Sequence, residues 1–338
     1  MLKIVNQPLV QLDIVQKKDV LDLNNFSEMP SVYNFGLLDP RPGDISKTNN
    51  ELLFRKSEAG TLGIEMTLPA YKDMCTLGNI DPQHTGGDIT RAAIDEAINF
   101  PLPEKGVMFV TVRPDLDAFG SMAILSLRQK GCKLNSDILS RVKMISESDT
   151  FANGPWRAKS LPSSELLDLS VDKNPLSAIA AEVADFKKGV ADRIKSVEKW
   201  LETGEENEAY RAQVNNSELD SIKALESGDI KITQAAFGKI AMVESSHRSG
   251  VSMGYCLAPT VIATNPKFSF NGSKPIVKHT ICQHELGHVD LVSVLKELNE
   301  IESGWGGSPT IIGSPQGKSS EVSVEKLSEI VGKYLAIN

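Results

Sequence analysis

The sequence of 338 residues lacks any apolar run of the roughly 18 residues that a membrane-spanning helix needs. Its opening, "MLKIVNQPLVQLDIVQKKD", alternates apolar with polar residues and so does not form the apolar centre of a signal peptide. These two absences predict a cytoplasmic protein that does not enter a membrane.

Cysteine is scarce, and the four cysteines are far apart in the sequence, with no CxxC spacing. In a chain without a secretion signal, isolated cysteines are typical of buried thiols. We therefore expect no metal or redox role for Cys75, Cys132, Cys256 and Cys282.

Basic residues are fewer than acidic ones: the sequence contains 36 Lys and Arg residues and 44 Asp and Glu residues, so its formal net charge is −8. A broad basic surface for a long duplex nucleic acid is therefore disfavoured. A local basic pocket for a small phosphate-bearing ligand is compatible with this balance.

Apolar residues, by contrast, make up 41% of the chain, which is enough for more than one core. The strand-like segments "MCTLGNI", "GVMFVTV" and "RVKMIS" are separated by the helix-like segments "DITRAAIDEAI" and "SMAILSLRQKG". Strands that alternate with helices predict an α/β protein with a parallel sheet.

Apolar spacing of three and four residues then predicts a helical connector, after which strands such as "KIAMVESS", "PTVIATN" and "KHTICQ" return. We predict an N-terminal segment of unassigned role, a first α/β domain that can include part of that segment, the connector, and a smaller α/β C-terminal domain. The predicted boundaries are 1–70, 71–160, 161–228 and 229–338.

Ionisable residues follow three of the predicted strands, in "GNIDPQHTGGD", "VTVRPDLDAFGSMA" and "MISESDTFANG". Since ligands bind outside the carboxyl ends of parallel strands, these residues can converge on one crevice. Crowded carboxylates repel unless cations neutralise them, and oxygen-rich sites with an occasional imidazole suit Mg²⁺ or Mn²⁺. The alternative for each aspartate is a turn or a helix cap. The candidate metal ligands are Asp81, His84, Asp115, Asp117 and Asp149.

These segments resemble the motifs of the DHH phosphoesterase family. "RPDLDAFGSMAIL" is similar to the family's DxD motif, "SESDTFANG" to its next motif and "NIDPQHTGG" to its Asp-His-His signature. The resemblance implies a hydrolase that uses one or two Mn²⁺ or Mg²⁺ ions, with Asp115 and Asp117 as catalytic residues. Arg113 stands where the family has a leading histidine, and the Asp-His-His-like segment precedes the DxD segment instead of following it.

Two later segments, "ESSHRSGVSMGYCLAP" and "SGWGGSPTIIGSPQG", resemble the substrate-binding DHH-associated C-terminal domain. The glycines allow a backbone to approach a phosphate closely. For Gly304 alone, a helix end with Trp305 packed on the core is the better explanation, whereas the tandem glycines that follow favour an anion site. The expected substrates are a small nucleotide, a cyclic dinucleotide or a short oligonucleotide, and a homodimer is left open. The predicted substrate-binding residues are Arg113, Ser121, Arg248, Gly304, Gly306 and Gly307.

The string "HELGH" matches HExxH, in which two histidines one helical turn apart bind zinc in metallopeptidases. Gly287 would weaken a helix here, and Asp290 is a better N-cap for the apolar stripe that starts at Leu291. We therefore expect a strand, a turn and a capped helix. Two alternatives to the phosphoesterase remain: a catalytically degenerate nucleotide-binding protein, because of Arg113 and the "DPQH" departure, and, less favoured, a zinc metallopeptidase.

Overall fold

A computed structural model describes much of the chain and divides it into two compact units. The first unit comprises the described residues within Leu12–Ala152 and Lys173–Val214, and the second those within Asn153–Asp172 and Asn215–Asn338. Both units are mixed α/β. The described residues are 33–39, 44–83, 88, 90–112, 114–150, 161, 163, 174–269, 274–315 and 317–336.

The first unit is built on a sheet with the strand order β1-β4-β2-β3, in which every neighbouring pair is parallel. Its strands are β1 (Asn34–Leu37), β2 (Thr61–Ile64), β3 (Asn79–Ile80) and β4 (Met108–Thr111). All residues of β2 and β4 are buried, as is typical of parallel strands covered on both faces. The predicted parallel sheet is confirmed.

Helices cover this sheet, and the longest buried run belongs to α4, in which every residue from Asp117 to Leu127 is buried. This burial explains why "FGSMAILSL" contains no charged residue. The helices of the unit are α1 (Asp44–Arg55), α2 (Pro69–Lys72), α3 (Ala93–Ala97), α4 (Leu116–Gln129), α5 (Ser136–Asp149), α6 (Pro175–Val183) and α7 (Val190–Thr203), and α8 (Glu208–Glu226) begins here and ends in the second unit.

The predicted strand "RVKMIS" is wrong, because these residues lie inside α5. Asn135 caps this helix by accepting hydrogen bonds from the backbone N–H groups of Asp137 and Ile138. The buried residues Ile138, Val142 and Ile145 follow at helical spacing, so the apolar period extends N-terminally beyond the six residues that resembled a strand. Asp149 therefore lies at the end of a helix.

The described part of the segment predicted as a helical connector contains the three helices α6, α7 and α8. Helices α6 and α7 pack their apolar faces into the same core as α4: Ile194, Val197 and Trp200 share one buried cluster with Phe119. These two helices thus complete the core of the first unit. The predicted domain boundaries stay predictions.

The second unit contains a mixed sheet with the order β5-β6-β7-β8-β10-β9, parallel only between β6 and β7. The strands predicted in "KIAMVESS", "PTVIATN" and "KHTICQ" are confirmed. The elements are β5 (Ile230–Ala235), β6 (Ile240–Ser245), α9 (Gly250–Tyr255), β7 (Thr260–Phe268), β8 (Ile276–Gln283), α10 (Leu291–Ile301), β9 (Gly306–Gly307), β10 (Ile311–Gly313) and α11 (Val324–Lys333), with a 3₁₀ turn at Ala236–Gly238.

All four cysteines are free thiols, and three of them, Cys75, Cys256 and Cys282, are buried as expected, whereas Cys132 is partly exposed. Burial raises the pKa of the Cys75 and Cys282 thiols to about 11.

Within the described part of the chain, every helix is too short or too polar to cross a bilayer.

Helix α9 packs against β6 and β7 through Gly254. A methyl group at this position would lie 2.8 and 2.9 Å from the two Cγ atoms of Val261 and 2.9 Å from Cγ2 of Val243. We expect Gly254→Ala to lower the free energy of unfolding by about 1–3 kcal/mol, because stiff β-branched side chains surround the added atom. Urea unfolding of the full chain measures this.

Gly332 of α11 is the matched control, since a Cβ there has no neighbour within 4 Å. Gly332→Ala should raise stability by up to about 1 kcal/mol through helix propensity alone. Equal stabilisation by both substitutions would contradict the tight packing of α9.

Candidate metal and phosphate site

Asp115 and Asp117 lie where the chain passes from β4 into α4. Asp115 is the N-cap of α4, and its Oδ1 accepts a hydrogen bond from the Ala118 N–H at 3.0 Å. Asp117 is 2% exposed and reaches a different helix: its carboxylate oxygens accept from the backbone N–H groups of Ala93 (2.7 Å) and Ile94 (2.8 Å), in the first turn of α3. One aspartate thus caps its own helix, and the other ties α4 to α3.

Asp117 is in a strongly unfavourable environment for a charged carboxylate. Burial is the main cause that raises its pKa well above the ordinary value, and the negative charges of Asp149 and Asp115 raise it further. The two backbone donors oppose these effects without cancelling them. The three carboxylates therefore interact, and their repulsion is the kind that a bound cation relieves.

Asp81 follows β3 directly and is 3% exposed. The side-chain amide of Asn79 donates to Asp81 Oδ2 at 3.5 Å, while its carbonyl accepts from the Met66 N–H at 3.0 Å. Two residues after Asp81, Gln83 Nε2 donates to Asp149 Oδ2 at 2.5 Å. This hydrogen bond joins the segment after β3 to the end of α5. Asp149 therefore lies near the carboxyl ends of the strands, although it is part of a helix and does not follow a strand.

Glu65 is a further acid at this edge that the sequence analysis missed. It follows β2, the strand between β4 and β3, and is 3% exposed, with its N–H donating to the Ile80 carbonyl at 2.9 Å. Its φ of 49° lies in the left-handed region, which is uncommon for a residue other than glycine. An acid immediately after the apolar run "TLGI" is the signal that the sequence offers, but it lies in the N-terminal segment 1–70, for which the sequence predicts no role.

The donor set fits Mg²⁺ or Mn²⁺ in chemical type, because it consists of carboxylate oxygens. Among the described residues, however, no group of three or more His, Cys, Asp or Glu side chains is arranged to hold a metal ion. His84 and Arg113, two of the predicted site residues, lie outside the described part of the chain. The residues that the structure places at this edge are Glu65, Asp81, Asp115, Asp117 and Asp149.

Ser121, a predicted substrate contact, is fully buried in α4 and donates its hydroxyl to the Asp117 carbonyl at 2.8 Å. In the second unit, Arg248 is exposed on the loop between β6 and α9, and its guanidinium donates to Ser217 Oγ. A substrate role for either residue stays a prediction.

The predicted glycine-rich loop forms a narrow hairpin. Gly306 and Gly307 make up β9 and pair with Gly313 and Ile312 of β10. Gly307 has φ +146°, and a Cβ on it would overlap the Ile311 carbonyl oxygen, so close strand contact by itself requires this glycine. Gly304, just before the hairpin, has φ +104°. Binding of an anion by these backbones stays a prediction.

Trp305 packs in the core of the second unit and is 5% exposed. Its indole N–H donates to Glu302 Oε2 at 3.0 Å. The structural alternative that the sequence analysis gave for "ESGWGG", a helix end with Trp305 on the core, is therefore confirmed.

The "HELGH" segment is a turn between β8 and α10. Asp290 caps α10 by accepting from the N–H groups of Val292 and Ser293, each at 3.1 Å, which confirms the predicted helix start. His288 Nδ1 is 2.8 Å from Thr260 Oγ1, and burial is the main cause that lowers the pKa of both His284 and His288. The two histidines are not on one helical face, so the arrangement differs from that of a helical zinc motif.

No protein-family model and no curated protein sequence matches the chain.

Gly287 gives a direct test of the turn. Its φ is +80°, and a Cβ there would have no neighbour within 4 Å, so only backbone conformation decides the effect of a side chain. Gly287→Ala should lower the free energy of unfolding by about 1–2 kcal/mol, since L-residues are disfavoured in the left-handed region. Urea unfolding of the full chain is the measurement.

The sign distinguishes the two conformations, because a helical Gly287 would be stabilised by alanine by about 1 kcal/mol. Gly332→Ala provides the helical reference in the same unit. Stabilisation by both substitutions would mean that "HELGH" is helical in solution.

Proposed function

We propose that the protein is a metal-dependent phosphoesterase of DHH type, which hydrolyses a phosphodiester or phosphomonoester bond in a small nucleotide or short oligonucleotide. The proposal rests on the motif resemblance and on one structural observation: acids follow three adjacent strands of one parallel sheet. Glu65 after β2, Asp81 after β3 and Asp117 after β4 are buried, and Asp115, which precedes Asp117, is partly buried. Ligands of parallel sheets bind at this edge.

The order of the motifs along the chain does not argue against a single site. In a parallel sheet all carboxyl ends lie at the same edge, whichever strand comes first in the sequence. Here β4, which precedes the DxD segment, and β3, which precedes Asp81, both pair with β2. A family site can therefore be built from segments in a changed order.

The proposed ligands are Asp81, His84, Asp115, Asp117 and Asp149, with Glu65 added from the fold, for one or two Mn²⁺ or Mg²⁺ ions. When bound, such an ion lowers the pKa of a coordinated water and stabilises charge on phosphoryl oxygens. The chain's own contribution is orientation: the N–H groups of Ala93 and Ile94 hold the Asp117 carboxylate, and Gln83 holds that of Asp149.

A nucleotide-binding protein without catalytic activity is the second candidate. It is favoured by the same two hydrogen bonds, because both oxygens of Asp117 already accept from α3 and the carboxylate has a structural task without any metal. Both candidates predict that the protein binds a nucleotide, but only the phosphoesterase predicts that the nucleotide is hydrolysed.

Metal binding is tested first, apart from catalysis. We expect Mn²⁺ at about 100 times its Kd to stabilise the full chain by about 2.7 kcal/mol over an EDTA-treated sample, measured by thermal or urea unfolding. Asp115→Asn should remove most of this gain. Asparagine is as good an N-cap as aspartate, so the substitution removes charge while helix α4 keeps its cap.

The control is Asp137→Asn, which removes an exposed acid from the first turn of α5. It should leave the Mn²⁺ effect unchanged. An equal response of wild type, Asp115→Asn and Asp137→Asn to Mn²⁺ would exclude the proposed metal site.

Turnover is tested with bis(p-nitrophenyl) phosphate and with a panel of cyclic dinucleotides and short oligonucleotides in the presence of Mn²⁺. We expect Asp115→Asn and Glu65→Gln each to lower the rate at least about 100-fold, more than the loss of an outer-sphere partner usually costs. Tight nucleotide binding without Mn²⁺-dependent turnover by wild type would instead establish the second candidate.

A further inference from the structure

Two residues of the proposed metal site, Glu65 and Asp81, lie where the pairing of β2 with β3 ends. The last residue pair of this parallel ladder is Ile64 with Ile80. One residue further, the Glu65 N–H still donates to the Ile80 carbonyl at 2.9 Å. Since Glu65 follows β2 and Asp81 follows β3, the register places the two acids next to each other. The acidic edge of the unit is completed by Asp115, Asp117 and Asp149.

Beyond Glu65, the side-chain amide of Asn79 pairs with the chain as a backbone peptide group would. Asn79 Oδ1 accepts from the Met66 N–H at 3.0 Å, and Asn79 Nδ2 donates to the Met66 carbonyl at 3.3 Å. The same Nδ2 lies 3.5 Å from Asp81 Oδ2. One amide therefore binds both polar backbone groups of the residue after Glu65 and also reaches the neighbouring carboxylate.

Gly63 leaves the space that this amide occupies. It is the ladder partner of Asn79, and a Cβ on it would lie only 2.7 Å from Asn79 Oδ1. The φ of Gly63 is not in the left-handed region, so close approach of the amide, and not backbone conformation, accounts for a glycine here. A side chain at this position would displace the amide from the Met66 backbone.

The backbone of Glu65 needs a restraint on both sides. Its φ of 49° lies in the left-handed region, which is disfavoured for L-residues other than glycine. Such conformations persist where the surrounding structure holds them, and they are concentrated at functional sites. Here the Ile80 carbonyl binds the N–H of Glu65 itself, and the Asn79 amide binds the residue that follows, Met66, whose side chain is fully buried.

We propose that Asn79 is a positioning residue of the acidic edge. Through the backbone of Met66, its amide holds Glu65 in the conformation in which the Glu65 carboxylate binds the metal ion. The proposal rests on the proposed function, because it takes Glu65 to be a metal ligand. An asparagine that only stabilised the sheet would leave metal affinity unchanged, and this difference is what the experiment measures.

The first measurement is made on the metal-free full chain and follows hydrogen exchange of the Met66 amide. Labelling with ¹⁵N-methionine limits the spectrum to the nine methionines, and comparison with Met66→Leu assigns the signal. In wild type we expect this amide to exchange at least about 100-fold more slowly than an unstructured one. Asn79→Ala removes its acceptor and should accelerate exchange at least about tenfold.

Asn34→Ala is the matched control. Asn34 is the first residue of β1, at the amino end of the same sheet, and its Nδ2 donates to the Gly106 carbonyl at 3.0 Å. The substitution thus also removes an asparagine side chain that binds the backbone, but at the opposite edge. Exchange of Met66 and binding of Mn²⁺ should both be unchanged.

The second measurement is the Kd for Mn²⁺, determined by calorimetry. We expect Asn79→Ala to bind Mn²⁺ about 10- to 100-fold more weakly than wild type, the usual loss when a group that orients a ligand is removed. Gly63→Ala, which keeps every polar group but fills the space of the amide, should weaken binding at least about tenfold.

A double variant separates positioning from a general loss of structure. If Asn79 acts through Glu65, adding Asn79→Ala to Glu65→Gln should weaken Mn²⁺ binding by no more than about twofold, because the carboxylate that Asn79 holds is already gone. Residues that act independently would instead give the product of the two single effects.

Failure of the proposed function and failure of the positioning role are distinguishable. No Mn²⁺ binding by wild type would overturn the function and the role together. If wild type binds Mn²⁺, three results would overturn the role alone: rapid exchange of Met66 in wild type, which needs no variant to fold; affinity within about twofold of wild type in both Asn79→Ala and Gly63→Ala; or an undiminished effect of Asn79→Ala when Glu65→Gln is present.

Discussion

The buried carboxylate of Asp117 is the interaction on which the first unit's acidic edge depends. It joins the start of α4 to the start of α3 through two backbone hydrogen bonds, at 2.7 and 2.8 Å, and it does so in an almost fully buried position. Each bond to a charged acceptor is worth more than a neutral one, and the loss of the acceptor would leave two buried donors unpaired. A second tie, from Ser146 Oγ to Asp95 Oδ2 at 2.6 Å, joins α5 to α3.

This arrangement places several carboxylates close together in a largely buried region, where their mutual repulsion is strong unless a counterion is present. Asp149 stands at the last residue of α5, where the helix dipole disfavours an acid, and it raises the pKa of Asp117. Carboxylates at such positions are costly unless a partner compensates them. Gln83 and the α3 backbone provide part of that compensation, and the proposed cation would provide the rest.

Sequence reasoning succeeded where local chemistry decides the structure. Asp290 was predicted as the N-cap of α10 and is one, because a side-chain oxygen three residues before a free backbone N–H is a local signal. It failed at "RVKMIS", where six residues are too few to distinguish a strand from part of a helix, and the decisive Asn135 cap and Ile138 lay just outside them. Glu65 was missed because its relevance comes from the neighbouring strands β3 and β4, which are remote in sequence.

The amino-acid sequence by itself determined the α/β class, the strands β6, β7 and β8 of the second unit, the start of α10 and the candidate acids other than Glu65, since periodicity, caps and turn residues act over a few neighbours. Only the tertiary structure decided that α6 and α7 complete the first core, that the Asp117 carboxylate accepts from the backbone of α3 and that Glu65 stands beside Asp81. These features depend on contacts between segments far apart in the chain, and packing of whole elements, which no local pattern encodes, brings them together.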